Sequence, residues 1–326
     1  MELFLAILLF AVGVLFVVKG GDYFVDASSW IAEVSGIPKL IIGATIVSVA
    51  TTLPEMLVSV MAALQGREKV KMIEMSIGNA VGSVTANIGL IMAIALICMP
   101  GVIKRKDYLL KSILMLLAAL LIVACGFFGE VSVVFSVVLL VIFVIFIGEN
   151  VFSATKTLKS TQEEEKDKAK KDKKTVITNI IKFVVGAVGI VWGADLLVDN
   201  GSELARMVGI DERIIGVTLI AVGTSLPELI TTITAVVKKQ SALSVGNILG
   251  ANIMDLTLIM PLSSLISGQS LPVSATSAMI DLPACLIVGM IAVIPAMIKS
   301  KFSRWQGWVL LSVYAIYIVI TCVGIS

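Results

Sequence analysis

The chain contains itself twice. Residues 22–64 align without a gap on 195–237, with 17 of 43 positions identical. "DYFVDASSWIAEVSGIPKLIIGAT" answers "DLLVDNGSELARMVGIDERIIGVT", and "ATTLPE" (50–55) answers "GTSLPE" (223–228). After a length difference of five residues, "IGNAVGSVTANIG" (77–89) answers "VGNILGANIMDLT" (245–257). Such a repeat demands two halves of similar structure.

The repeated unit is too apolar for water. Hydrophobic residues make up 58% of the 326, and mean hydropathy is +1.05, against about 45–50% apolar in soluble domains. Apolar runs long enough to cross a bilayer fall at 3–18, 40–64, 72–99, 108–127 and 131–149, then at 177–196, 213–237, 241–266, 273–298 and 305–325. This pattern predicts an all-α polytopic membrane protein with ten transmembrane helices. A transmembrane barrel would alternate polarity in short segments instead. The run 3–18 follows Glu2 rather than a basic stretch and has no clear cleavage site, so it reads as a span and not a signal peptide.

Residues 1–150 form the first five-helix repeat, 151–176 a charged cytoplasmic linker, and 177–326 the second repeat. Within the linker, "KTLKSTQEEEKDKAKKDKKT" (156–175) has no apolar face and reads as solvated. Five spans per half is odd, so the repeats are inverted. With both termini outside, the cytoplasm receives Lys19, Lys39, Lys104, Arg105, Lys106, the linker, Lys238, Lys239, Lys299, Lys301 and Arg304. The exterior receives Arg67, Lys69, Lys71, Arg206 and Arg213. That asymmetry is the positive-inside rule at work. The absence of a targeting segment and the compact linker point to a prokaryotic plasma membrane.

Each repeat places Pro beside Glu inside an apolar run. A helical proline donates no hydrogen bond and clashes with the carbonyl four residues back. Pro54 therefore frees the carbonyl of Ala50, and Pro227 that of Gly223. In hydrocarbon a freed carbonyl needs a partner, and a cation is one. Thr51 and Thr52 precede Glu55 by four and three residues; Thr224 and Ser225 precede Glu228 likewise. These spacings share a helix face. The third span of each half adds Asn79, Ser83 and Asn87, or Asn247, Ala251 and Asp255, on one face. Gly78 with Gly82, and Gly246 with Gly250, are small-xxx-small pairs that let backbones approach. An oxygen-only donor set suits Ca²⁺ or Na⁺. Glu55 and Glu228 together balance one Ca²⁺. Left bare, each carboxylate costs at least about 2.5–3.5 kcal/mol in the membrane, a reason for obligatory exchange rather than one-way passage.

Other polar residues carry blander readings. Asp22, Asp26, Asp195 and Asp199 are expected near helix ends in capping or solvated roles. Asp281, just before Pro283, reads as helix-start chemistry, and Glu74 as loop or helix start. The 14 methionines read as packing. Cys98, Cys125, Cys285 and Cys322 sit in apolar segments without metal-ligand spacing and read as buried thiols. Histidine is absent, which removes the usual proton carrier near neutrality.

"GTSLPE" with "GNILGANIMD" (246–255), and "ATTLPE" with "GNAVGSVTAN" (78–87), resemble the two alpha repeats of the sodium/calcium exchangers, in the calcium/cation antiporter superfamily. The likeness extends to "RWQGWVLLSVYAIYI" near the C-terminus. It implies ten helices in two inverted repeats, alternating access to a central diamond of ion sites, and a first pair of helices that slides over the rest. By that resemblance Glu55 and Glu228 are the central Ca²⁺ ligands, and Thr51 and Thr224 add oxygens. Thr52, Ser225 and Ser83 line flanking Na⁺ sites, with Asn87 and Asp255 in the middle. The departures are Ala50, where the family motif has glycine, Thr52 for serine, Val84 for asparagine, and Ala251, which removes a hydroxyl from a Na⁺ site. The Gly-Asn-x-x-Glu pattern of the proton-coupled branch is absent.

The expected function is a cation antiporter exchanging Na⁺ for Ca²⁺, with Ca²⁺/H⁺ or another cation pair as the alternative. It is no enzyme: an intramembrane hydrolase would need a nucleophile or paired aspartates, and no Gly-x-Ser-x-Gly occurs. A channel fits poorly with a closed, doubly charged site on broken helices. The expected partners are the lipid bilayer, Ca²⁺ and Na⁺, with no nucleic acid and no cofactor. Oligomeric state is left open, a monomer included.

Overall fold

The computed structural model describes residues 2–65, 70–101, 105–164, 173–209 and 223–323. Helix α1 (Glu2–Ser35) is followed by α2 (Lys39–Ile42), a π-helical turn (Gly43–Val47) and α3 (Ser48–Gln65). Next come α4 (Val70–Ala86), a π-turn (Asn87–Met92), α5 (Ala93–Cys98), α6 (Arg105–Phe128) and α7 (Val133–Glu164). The second half has α8 (Lys173–Met207), α9 (Leu226–Val237), α10 (Ser241–Met254), a π-turn (Asp255–Ile259) and α11 (Met260–Ser267). It closes with a π-turn (Ser277–Asp281), α12 (Leu282–Lys299) and α13 (Arg304–Val323). Every expected span contains helix where described, with non-helical residues at a few span ends and a turn at 224–225; the 213–222 part of one lies outside the described residues.

Two spans are much longer than their apolar runs. Helix α1 passes through "KGGDYFVD" and stops only where Gly36 takes φ +71°, two residues before Pro38, the left-handed stop that favours glycine. The polar stretch stays helical because it packs. A Cβ on Gly20 would lie 2.9 Å from the carbonyl oxygen of Gly186 in α8, so the two backbones touch through their glycines. Asp22 and Asp26 are therefore inside α1, not at its end, and both reach Lys238 Nζ, at 3.1 and 2.7 Å. Asp195 and Asp199 likewise lie inside α8. Lys19 sits midway along α1 and drops out of the charge count at its end. Helices α7 and α8 also run to Glu164 and from Lys173, into the segment marked as linker. Lys, Glu and Ala are good helix formers and need no apolar face in water.

The helices form two packing units. One large core draws on α2, α4 to α7 and α10 to α13, from Leu40 through Leu310, with nothing from α1 or α8. A smaller core joins Phe24, Val25 and Ala32 of α1 and Ile190 of α8 to Ile42, Val47, Ala235 and Leu243. Helices α1 and α8 pack chiefly on each other, and only 22% of either span is enclosed. The 241–267 span is 83% enclosed and forms the centre. There α10 crosses the π-turn after α2 at backbone contact: a Cβ on Gly250 would lie 2.6 Å from the carbonyl oxygen of Ala44. A Cβ on Gly78 or Gly82 would meet nothing within 4 Å among the described residues. At the end away from the linker, β1 (Glu130–Val131) pairs antiparallel with β2 (Leu271–Pro272), Val131 opposite Leu271. This ties a loop of each half together.

Candidate cation site

The two prolines act differently. Helix α3 runs unbroken through Pro54, whereas the chain ahead of Pro227 opens into a turn at 224–225 before α9. Ala50 is a good helix former and Gly223 a poor one, so the same lost hydrogen bond opens only the second repeat. The first repeat's irregularity lies earlier, at the π-turn Gly43–Val47. Pro227 occupies the first turn of α9, with Glu228 beside it, where a proline costs no hydrogen bond.

Glu55 and Glu228 are each 1% exposed and Asp255 is fully buried. The hydroxyls and amides around them bond across the repeats. Thr52 Oγ1 donates to Glu228 Oε1 at 3.2 Å, and Thr51 Oγ1 to Asn247 Oδ1 at 3.2 Å. Ser83 and Ser225 share a hydrogen bond at 3.0 Å. Asn87 Nδ2 donates to Asn252 Oδ1 at 3.1 Å and, within its own helix, to Ser83 Oγ at 3.4 Å. Thus Thr51, Thr52, Ser83, Asn87, Ser225, Glu228 and Asp255, all expected at the site, are buried together. Ala50 is partly buried, Gly223 is buried, and Thr224 stands half-buried in the turn between Gly223 and Ser225.

The cluster is rich in acceptors that no donor among the described residues satisfies. Both oxygens of Glu55, both of Asp255, Oε2 of Glu228 and Oδ1 of Asn87 are buried without a hydrogen-bond partner. Buried acceptors in hydrocarbon ordinarily have one. Acceptors on carboxylates and an amide, with hydroxyls beside them, match a hard cation. Among the described residues no three acidic, cysteine or histidine side chains gather at metal-binding distance. The carboxylates of the cluster are interspersed with neutral hydroxyl and amide oxygens.

Two features were less visible in sequence. Asn87 and Asp255, at equivalent repeat positions, both begin a π-turn; such turns expose backbone and cluster at functional sites. Asn252 and Asn247 bond directly to expected site residues. Asn247 stood out for its place on the helix face; Asn252 did not. Elsewhere, Asp281 is no helix start, because the π-turn already carries the helix through it. Its Oδ1 accepts from Tyr317 Oη at 3.0 Å. Glu74 falls past the first turn of α4, its side chain outside the described residues. Cys98, Cys125 and Cys285 are free thiols, but Cys98 is exposed, not buried; Cys322's side chain lies outside the described residues.

A buried, oxygen-lined cluster contributed by two repeats of one membrane-spanning chain defines a secondary transporter of cations. The family model for sodium/calcium exchanger proteins matches residues 5–151 and 178–323. The chain is 30% identical to the sodium/calcium exchanger MaX1 of Methanosarcina acetivorans, over 96% of this chain and 97% of that one. It is 33% identical to the inner membrane protein YrbG of Escherichia coli, over 88% and 87%. Its fold is similar to that of the sodium-calcium exchanger NCX_Mj, with a TM-score of 0.80 and 28% identity over 97% of this chain and 99% of that one. The chain belongs to the sodium/calcium exchanger family, and is an integral membrane protein of ten helices in two repeats.

Proposed function

We propose that the chain exchanges Na⁺ for Ca²⁺ by alternating access, with Ca²⁺ held between Glu55 and Glu228. The supporting observation is that these two buried carboxylates, one from each repeat, have three of their four oxygens unpartnered, while Thr52, three residues before Glu55, donates to the fourth, Glu228 Oε1. Asp255 and Asn87 supply further acceptors, and Thr51, Thr224, Ser83 and Ser225 hydroxyls. The carbonyls of Ala50 and Gly223 complete the set. Na⁺ occupies the same cluster after Ca²⁺ leaves, because bare carboxylates are too costly to carry back across the membrane. No bond is made or broken, so this is transport and not catalysis.

In this reading residues 1–150 and 177–326 are the two inverted units, the linker faces the cytoplasm, both termini face outward, and the membrane is a prokaryotic plasma membrane. Ca²⁺/H⁺ exchange is the second reading, favoured by two observations: Ala251 offers no hydroxyl, and Asp255 has two unpartnered oxygens. The separating experiment measures Ca²⁺ flux at fixed pH while the Na⁺ gradient is varied. Flux that follows Na⁺ supports the first reading; flux that ignores Na⁺ and follows pH supports the second.

A further inference from the structure

Both repeats carry a glutamate after Leu-Pro, but they bond differently beneath it. In the first, Asn79 Nδ2 donates to Ser59 Oγ at 3.0 Å, which closes the turn below Glu55. The equivalent residues of the second repeat are Asn247 and Thr232. They are not joined: Asn247 Nδ2 and Thr232 Oγ1 are both buried without a partner. Thr231 Oγ1 and Ser244 Oγ, in the same region of α9 and α10, are also buried and unpartnered. Unpaired buried polar groups are rare, and four gathered at one end of a site call for a reason.

That reason lies at the linker end of the molecule. A cavity of about 340 Å³ opens there, lined by residues that include Lys39, Ala95, Met99, Val236, Ser241 and Ser244. Glu228, Thr232 and Val236 follow at i, i+4 and i+8 on α9, so Thr232 stands one turn from the carboxylate and one turn from the cavity. On α10, Ser244 lines the cavity, and Asn247, three residues on, bonds Thr51 at the site. One helical turn of unpaired hydroxyl and amide thus separates the cavity from the glutamates.

We propose that the linker-side leg of the ion path runs from the Glu55–Glu228 site along Thr232 and Ser244 into this cavity. The unpaired hydroxyl oxygens of Thr231, Thr232 and Ser244 replace water around the ion during transit. At rest they bond nothing, so they do not hold the leg shut. The Asn79–Ser59 bond marks the opposite arrangement in the first repeat. Lys39 stands at the mouth, bonded to Glu33 at 2.8 Å and Gln240 at 2.8 Å.

The identity of the ion rests on the exchange reading; the course of the path does not. The test introduces Ser244→Cys, Thr232→Cys or Ser59→Cys singly into a parent carrying Cys98→Ala and Cys322→Ala. Vesicles are sorted by which face exposes the linker and treated with a membrane-impermeant trimethylammonium methanethiosulfonate. Labelling is read by intact mass and Ca²⁺ flux is read on the same vesicles. The expected result is labelling of Ser244→Cys and Thr232→Cys at least about tenfold faster from the linker face than from the other, none of Ser59→Cys from that face, and loss of flux in step with labelling. Absence of labelling at both Ser244→Cys and Thr232→Cys overturns the path, as does labelling from the opposite face or full labelling with unchanged flux. Either variant suffices if the other misfolds. A parent that binds no Ca²⁺ would sink the exchange reading alone, since the mass readout needs no transport.

Discussion

Replacing Gly250 with alanine should damage transport through geometry alone. The residue has no chemistry, but α10 crosses the first repeat there. The new Cβ would lie 2.6 Å from the Ala44 carbonyl oxygen and 2.8 Å from its carbon, where ordinary contact begins at 3.4 Å. Both are backbone atoms and cannot rotate away. The helices must therefore part by up to about 0.8 Å. Asn247 lies one turn from Gly250, and its bond to Thr51 is already 3.2 Å. That parting carries it to about 4 Å, beyond hydrogen-bond range. Because both contacts are with backbone that must shift, overpacking costs the upper part of its range, roughly 2–3 kcal/mol, and alanine's helix propensity returns about 1 kcal/mol. A net loss near 1–2 kcal/mol is about a five- to thirtyfold change in an equilibrium. Thermal unfolding in detergent and half-maximal Ca²⁺ in flux assays should both shift, Tm downward and Ca²⁺ requirement upward. A Gly250→Ala protein that matches the parent in both would refute the crossing as described.

Other perturbations separate the remaining interactions. Lys111 is almost wholly buried and pairs with Glu149; Lys111→Met should cost about 3–5 kcal/mol by stranding a charge, and adding Glu149→Gln should recover most of it in unfolding assays. Lys238→Ala removes two partly exposed ion pairs to α1 and should cost about 0.2–1 kcal/mol for each, less in high salt. Burial opposes the Lys238 charge, but its bonds to Asp26 and Asp22 outweigh it and hold its pKa above the ordinary 10.5. The latch therefore contributes fully below that pH and is lost only as pH rises through the raised value, so unfolding between pH 6 and 9 should show no step from it. Ala251→Ser restores a hydroxyl worth about 1 kcal/mol and should lower the Na⁺ needed for half-maximal exchange; an unchanged Na⁺ dependence would remove position 251 from the Na⁺ site.

The spans and the paired Pro-Glu turns were readable because hydrocarbon imposes a strict rule on composition and the repeat supplied an internal control. What composition could not show was where polar residues remain helical. "KGGDYFVD" looks like the end of a span, yet it continues, because Gly20 meets a glycine across the helix pair and both aspartates find Lys238. Those partners lie more than 160 positions away. The same limit applied at Pro54. A proline reads as a break wherever it stands, but Ala50 holds the helix and Gly223 lets it go, so two motifs that share Leu-Pro-Glu take different backbones. The carboxylates and hydroxyls of the site could be named from spacing within a helix. Asn252 could not, because its role is fixed by Asn87, on a facing helix of the other repeat.

Glu55 and Glu228 are proposed to bind Ca²⁺ in exchange for Na⁺. The most direct test is ⁴⁵Ca²⁺ uptake into Na⁺-loaded proteoliposomes, for the parent and for Glu228→Gln, under an outward Na⁺ gradient and then under a proton gradient alone. Parent uptake should follow the Na⁺ gradient and be lost in Glu228→Gln. Uptake driven only by the proton gradient, or undiminished in Glu228→Gln, would contradict the proposal.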